Sequence, residues 1–223
     1  MGGLIPLGDA SRRPARAPVV TTLIIAANAF AFFLELSGGD AFVFHWATIP
    51  LRIVHGHRWI TLITSMFLHG SWMHIAGNMI FLWAFGPAIE DAMGRFRYLV
   101  FYFAGGFVAM LAQVLASPYS RVPTLGASGA IAAVMGAFLI TYPRDRIRSV
   151  LFILIFFRIT YIPAVVLIGF WFLIQVVNAG QVASVQTGGV AYLAHIGGFL
   201  FGALTCRLLE DPRRIAARSV GSF

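Results

Sequence analysis

Apolar residues in this chain come in long runs, and the polar residues collect between them. A helix needs about 20 apolar residues to cross a hydrocarbon core. Runs near that length cover residues 18–36, 71–90, 97–116, 127–142, 162–178 and 190–209. The pattern predicts an all-α polytopic membrane protein with six spans. Residues 1–17 would form a short N-terminal segment, 18–209 the transmembrane domain and 210–223 a C-terminal tail. Arg12, Arg13 and Arg16 precede the first run, as in a secretory signal. The run itself exceeds the ~7–15 residues of a signal core, so it reads as an uncleaved anchor. The stretch from Ser149 to Asn178 is too long for one helix and too short for two, and Arg158 and Pro163 divide it. Val150–Phe157 is expected to lie at the interface or to extend a helix, with the span proper following.

Composition agrees with a membrane setting. Hydrophobic residues make up 59%, mean hydropathy is +0.85 and only 11% of residues are charged, against ~25% in soluble domains. The single cysteine, Cys206, excludes an internal disulfide and a thiol cluster for metal. The net charge of +8 would fit nucleic acid, but every basic residue is an arginine, and the arginines sit mainly in short segments between or beside apolar runs, where they set topology. With the N-terminus inside, thirteen arginines fall on inner segments, Arg158 included, and three (Arg52, Arg58, Arg121) on outer ones. Both termini are therefore expected to be cytoplasmic, with the lipid bilayer and not nucleic acid as the surrounding partner.

That topology places several polar residues at one depth. Spans two, four and six all run from outside to inside. His74 and Asn78 occupy the first turns of span two, Ser128 the first turn of span four and His195 the second turn of span six. At ~1.5 Å rise per residue, all four fall in the outer half of the membrane. His74 and Asn78, four apart, share a helix face. Gly129 in span four, and Gly198 and Gly202 in span six, form small-residue stripes that let helix backbones approach closely.

Ionisable and polar groups inside a membrane are rare unless they serve a function. Serine is a weak nucleophile until a base takes its proton, and His195 is the only histidine beyond position 74. None of the eight acidic residues lies on a span at the depth of His195, so the expectation is a Ser128–His195 dyad without a carboxylate. The Ser128 backbone N–H begins a helix and has no intrahelical acceptor. With the side chains of Asn78 and His74 it is a candidate donor to an oxyanion. No His-Glu-x-x-His occurs, and no second intramembrane Asp accompanies Asp40. The sequence therefore offers neither the zinc-protease motif nor an aspartyl pair. His45, His55 and His57 fall in the first outer loop without acidic or thiol companions, so no metal site is expected.

Four groups of residues together resemble the rhomboid intramembrane serine proteases of the six-span bacterial type. They are His69 with His74-Ile75-Ala76-Gly77-Asn78; Gly86-Pro87-Ala88-Ile89-Glu90 with Gly94; Gly126-Ala127-Ser128-Gly129; and Ala194-His195 with Gly198 and Gly202. The resemblance runs from the first span to the last. It implies Ser128 as nucleophile, His195 as base, and His74, Asn78 and the Ser128 backbone as oxyanion hole. It implies His69 as a structural residue of the first outer loop and Glu90 as a brace at the inner end of span two. It also implies single-span membrane proteins as substrates, cut near the outer end of their helix, with no cofactor. A prokaryotic plasma membrane is the expected location.

Two positions depart from the family pattern. Ile60-Thr61 stands where many members have Trp-Arg, with Arg58-Trp59 just upstream. Ala132 stands where some place an aromatic under the catalytic imidazole, so another residue must hold the ring of His195. Two readings other than a protease remain at this stage. One is an inactive relative that binds membrane proteins, although such relatives typically lack Ser128 or His195. The other is a transporter, although the polar positions stop in the outer half.

Overall fold

The computed structural model describes residues 2–12, 15–153, 156–182 and 191–220. Arg13, and position 190 where the last span was expected to begin, lie outside them. In chain order the elements are β1 (Gly2–Asp9), α1 (Val19–Trp46), α2 (Pro50–Val54), α3 (Thr61–Thr64), α4 (Trp72–Met93), α5 (Arg95–Ala116), α6 (Ser128–Thr141), β2 (Arg146–Ile153), β3 (Phe156–Pro163), α7 (Ala164–Val182), α8 (Tyr192–Leu209) and α9 (Pro212–Val220). Each expected span has its helix. Four of them, α1, α5, α7 and α8, are long and apolar enough to cross a membrane. Their outward faces carry the large apolar side chains that a soluble protein would bury: Leu204 is 78% and Leu208 81% exposed. This is an integral membrane protein of the helical-bundle class.

The helix α6 sits at the centre, with every residue from Gly129 to Phe138 buried. It packs chiefly against α8, and also against α5 and α4. Its 14 residues span only about 21 Å at 1.5 Å per residue, less than the ~30 Å hydrocarbon core. Close approach to α8 depends on missing side chains. A Cβ at Gly198 would overlap the carbonyl oxygen of Gly129, and one at Gly202 that of Ala133. At Gly129 it would stand 2.5 Å from the Ala109 methyl of α5.

The ends of the helices opposite Ser128 are tied together by polar contacts. Glu90 near the end of α4 accepts the N–H groups of Val20 and Thr21 at 2.9 and 2.8 Å, and the Thr21 hydroxyl at 2.8 Å. These are donors that the first turn of α1 leaves without intrahelical acceptors, and a carboxylate there also complements the helix dipole. Arg12 pairs with Asp145 at 2.7 Å, Arg207 with Glu210 at 3.0 Å, and the Thr141 hydroxyl donates to Glu210. Gly94 closes α4 and opens α5 at φ 80°, a backbone region that side chains disfavour. Glu90→Ala would strand the buried N–H groups of Val20 and Thr21, while the Thr21 hydroxyl keeps Tyr98 at 3.3 Å. It is expected to lower unfolding stability by about 3 kcal/mol, read from denaturant titration in micelles, whereas a change within ~0.5 kcal/mol would remove the bracing role.

One part of the all-α expectation is wrong. Residues 146–153 and 156–163 do not extend a helix. They form the antiparallel hairpin β2–β3, in register from Arg146↔Pro163 to Ile153↔Phe156. The strand β1 joins its other side, giving the order β1-β2-β3. The physical cause is the period-two pattern of this stretch. Ile147 and Ser149 are fully buried while Arg146 and Arg148 are exposed, and β-branched and aromatic residues dominate, as suits a pleated surface. An apolar run of this length does not separate strand from helix; the alternation does. A smaller difference lies in α1, which continues past position 36 through a break at Gly39 to Trp46. His45 therefore belongs to its last turn and not to the outer loop.

Candidate active site

Three helices begin at the same end of the bundle and bring the polar residues together there. The Ser71 side chain caps α4 by accepting the His74 N–H at 3.1 Å, the N-cap bond that fixes a first helical turn. His74 is thereby held half-buried at the helix start, with buried Asn78 one turn further on. Asn78 Nδ2 has no hydrogen-bond partner among the described residues. A buried amide N–H without an acceptor is costly, and here it stands one helical turn from His74.

The loop before α6 is pinned rather than free. The Gly126 N–H donates to the Ser65 carbonyl at 2.9 Å, and Thr48 and Thr124 exchange backbone hydrogen bonds at 3.1 and 2.7 Å. Gly126 has φ 123°, and a Cβ there would stand 2.8 Å from His74 Nε2 and 3.5 Å from Ser128 Oγ. Glycine is therefore required twice, by conformation and by the imidazole beside it. The same numbers bring His74 close to Ser128.

Ser128 is half-buried at the first position of α6. His195, in the first turn of α8, is 8% exposed, and its Nε2 lies 2.7 Å from Ser128 Oγ. The Gly198–Gly129 crossing explains this distance: the two backbones touch one turn below, so the side chains at their N-terminal ends must meet. The other ring nitrogen, Nδ1, lies 2.8 Å from Oε1 of Gln175 on α7. The ring of Trp171, also on α7, sits 5.7 Å from the imidazole at 38°. A serine hydroxyl against an imidazole oriented from its far side is the arrangement that general-base activation needs.

His69 lies in the segment before α4, fully buried. Its backbone N–H donates to Glu35 of α1 at 2.8 Å, and its Nδ1 lies 3.3 Å from the Phe67 carbonyl. Its ring meets that of His74 edge-on at 5.1 Å. Burial, with a smaller contribution from nearby His74, lowers its pKa to about 4, so the ring stays neutral at ordinary pH.

Every expected site residue is thus placed. Ser128, His195, His74, Asn78 and Gly126 gather at one end; Gly129, Gly198 and Gly202 form the crossing that brings them there; His69 stands behind His74; and Glu90 lies at the far end. Sequence reasoning missed Gln175, Trp171 and Glu35. A third member need not be a carboxylate, and an amide within an apolar span, such as Gln175, is already a signal. Trp171 and Gln175 are the α7 residues in contact with the ring of His195, which Ala132 cannot hold.

Fold and site define a class: a helical membrane protein that joins a serine and a histidine at the start of its innermost helix. A family model described as the Rhomboid domain matches residues 56–211, and the chain belongs to the rhomboid family. It is 32% identical over 204 residues to the rhomboid protease GluP of Bacillus subtilis, covering 88% of this chain and 36% of that one. It is 29% identical to the mitochondrial rhomboid protein 1 of Saccharomyces cerevisiae, covering 74% of this chain and 47% of the relative. It is 30% identical to the mitochondrial presenilin-associated rhomboid-like protein of Bos taurus, covering 81% and 46%. The chain therefore spans between a third and a half of these relatives. They divide between a bacterium and mitochondria and do not support the expected prokaryotic plasma membrane.

Proposed function

We propose that this protein is an intramembrane serine endopeptidase that cuts single-span membrane proteins near one end of their helix. The observation that carries this reading is the Ser128 Oγ to His195 Nε2 distance of 2.7 Å inside an apolar bundle. The name of the Bacillus relative, a rhomboid protease, supports it.

In this reading Ser128 Oγ attacks the scissile carbonyl carbon as its proton passes to His195 Nε2. The new carbon–oxygen bond places a negative charge on the former carbonyl oxygen. Three donors are assigned to it: the Ser128 backbone N–H at the start of α6, Asn78 Nδ2, which has no partner among the described residues, and the imidazole N–H of His74. The imidazolium returns its proton to the leaving nitrogen as the carbon–nitrogen bond breaks. Water then repeats the sequence on the acyl-enzyme and frees Ser128. The short α6 sets Ser128 below the level of the long spans, within reach of water from the polar end. That end is the outer one, because the arginine-rich termini and the paired charges gather at the other. His69 and Glu35 hold the first outer loop against this site, and Glu90 braces the inner end.

The test is a purified full chain treated with a fluorophosphonate, beside cleavage of a single-span reporter. An adduct on Ser128 that requires His195, together with reporter cleavage, is expected. A folded protein that neither labels nor cuts would leave an inactive membrane-protein-binding relative. Asn78→Ala is expected to lower kcat by ~10²–10³ with little change in KM. A loss confined to KM would remove Asn78 from the oxyanion hole.

A further inference from the structure

The amide of Gln175 determines which nitrogen of His195 is free. Gln175 is 6% exposed on α7, and its Nε2 donates to the Trp171 carbonyl oxygen at 3.2 Å. Turning the amide over would set two carbonyl oxygens against each other, so Oε1 is the atom that faces the imidazole at 2.8 Å. A carbonyl oxygen only accepts, so Nδ1 must carry the hydrogen. A neutral imidazole has one such hydrogen. Its Nε2 therefore presents a lone pair to Ser128 Oγ, 2.7 Å away, and the serine hydroxyl is the donor. The Trp171 ring at 5.7 Å and the Tyr192 ring at 6.5 Å stand on other sides of the imidazole and limit its rotation.

We propose that Gln175 is a positioning residue for the serine–histidine reaction, an uncharged third member in the place that a carboxylate takes in a triad. This rests on the reading of Ser128 as nucleophile and His195 as base. The amide takes no proton. It holds the reactive tautomer before attack and accepts from Nδ1–H of the imidazolium afterwards. An amide satisfied on both sides suits an apolar bundle, where a carboxylate would have to be buried with its charge. The other groups around His195 are few. His74 of α4 stands near Ser128, both beside the Cα of Gly126, Tyr192 approaches from its own helix and Ser128 from α6. Among the described residues, α7 brings Gln175 and Trp171 to it, and α5 meets this end of α8 through Ala109 and Ala112.

The experiment is the rate of fluorophosphonate labelling at Ser128 against pH, for the full chain in micelles, with Gln175→Leu and Gln175→Glu beside it. Labelling forms the Oγ–P bond, releases fluoride and hands the serine proton to His195, so it reads the base directly. Gln175→Leu is expected to label about tenfold more slowly across the whole range, since one hydrogen bond of tautomer preference is gone. Gln175→Glu keeps an acceptor for Nδ1 and adds a charge that favours the imidazolium. Its rate should recover at high pH, with the acid limb moved upward. Nitrogen-15 spectra of histidine-labelled protein, assigned by difference with His195→Gln, should show Nδ1 protonated in the wild type and a tautomer mixture in Gln175→Leu. If Gln175→Leu does not fold, the Glu variant and the wild-type spectrum decide. A Leu variant labelling at the wild-type rate, a Glu variant with an unmoved acid limb, or a wild-type ring protonated on Nε2 overturns the role of Gln175. Wild-type protein unlabelled at Ser128 overturns the serine–base reading, and this inference with it.

Discussion

Ser128→Ala is expected to reduce cleavage of a single-span reporter to background, a loss of about 10³-fold or more, and His195→Ala to do the same. The two residues act as one unit: the hydroxyl is a poor nucleophile without the imidazole, and the imidazole has no proton to take without the hydroxyl. The double variant should therefore be no worse than either single one, and additive losses would mean that the residues work separately. Ser128→Ala is the cleaner variant, because it removes one oxygen and one hydrogen bond at 2.7 Å, worth about 1 kcal/mol of stability. Its unfolding midpoint should stay near that of the wild type. An inactive variant that also unfolds would say nothing of chemistry, so reporter turnover and unfolding are measured on the same preparation. Full activity in either single variant would end the dyad reading.

Gly202→Val is expected to inactivate by another route, through loss of structure. A side chain there would overlap the Ala133 carbonyl oxygen of α6. That obstacle is backbone, which has no rotamer to move aside. Overpacking ordinarily costs ~1–3 kcal/mol; separating two buried helices should cost more than that. The α6–α8 seam is the most extensive helix contact in the bundle, and the serine and histidine are carried on its two sides. Unfolding in denaturant should shift strongly and cleavage should vanish together. Leu204→Val, on the same helix but 78% exposed, is the control and should change neither. A stable, active Gly202→Val protein would show that the helices reach the serine–histidine distance without this crossing.

The distinction between these variants follows what was legible in the chain and what was not. Long apolar runs can satisfy their backbone in a membrane only as helices or a closed barrel, and the spacing of those runs placed each principal helix, although α1 extends ten residues past its expected end. That His74, Asn78, Ser128 and His195 gather at one end of the bundle followed from helix direction and rise alone. The pair of strands 146–153 and 156–163 departs from the expected pattern because length does not separate strand from helix, whereas alternation does. Arg146-Ile147-Arg148-Ser149 already carried the strand period, but its partner β1 lies some 140 residues away in the chain, and no local pattern announces such a pairing.

The sequence by itself determined the membrane class, the principal helices and the candidate reacting pair. These are properties of hydrophobicity, charge and helical rise, which act along one stretch of chain at a time. Tertiary structure alone decided that Gln175 of α7 faces His195, that Glu35 of α1 holds the His69 N–H, and that Gly126 leaves space for His74. Each of these is a contact between helices, set by the rotation of one about its axis relative to another. Rotation is fixed by how the small-residue seams close, and that is a property of the assembled bundle.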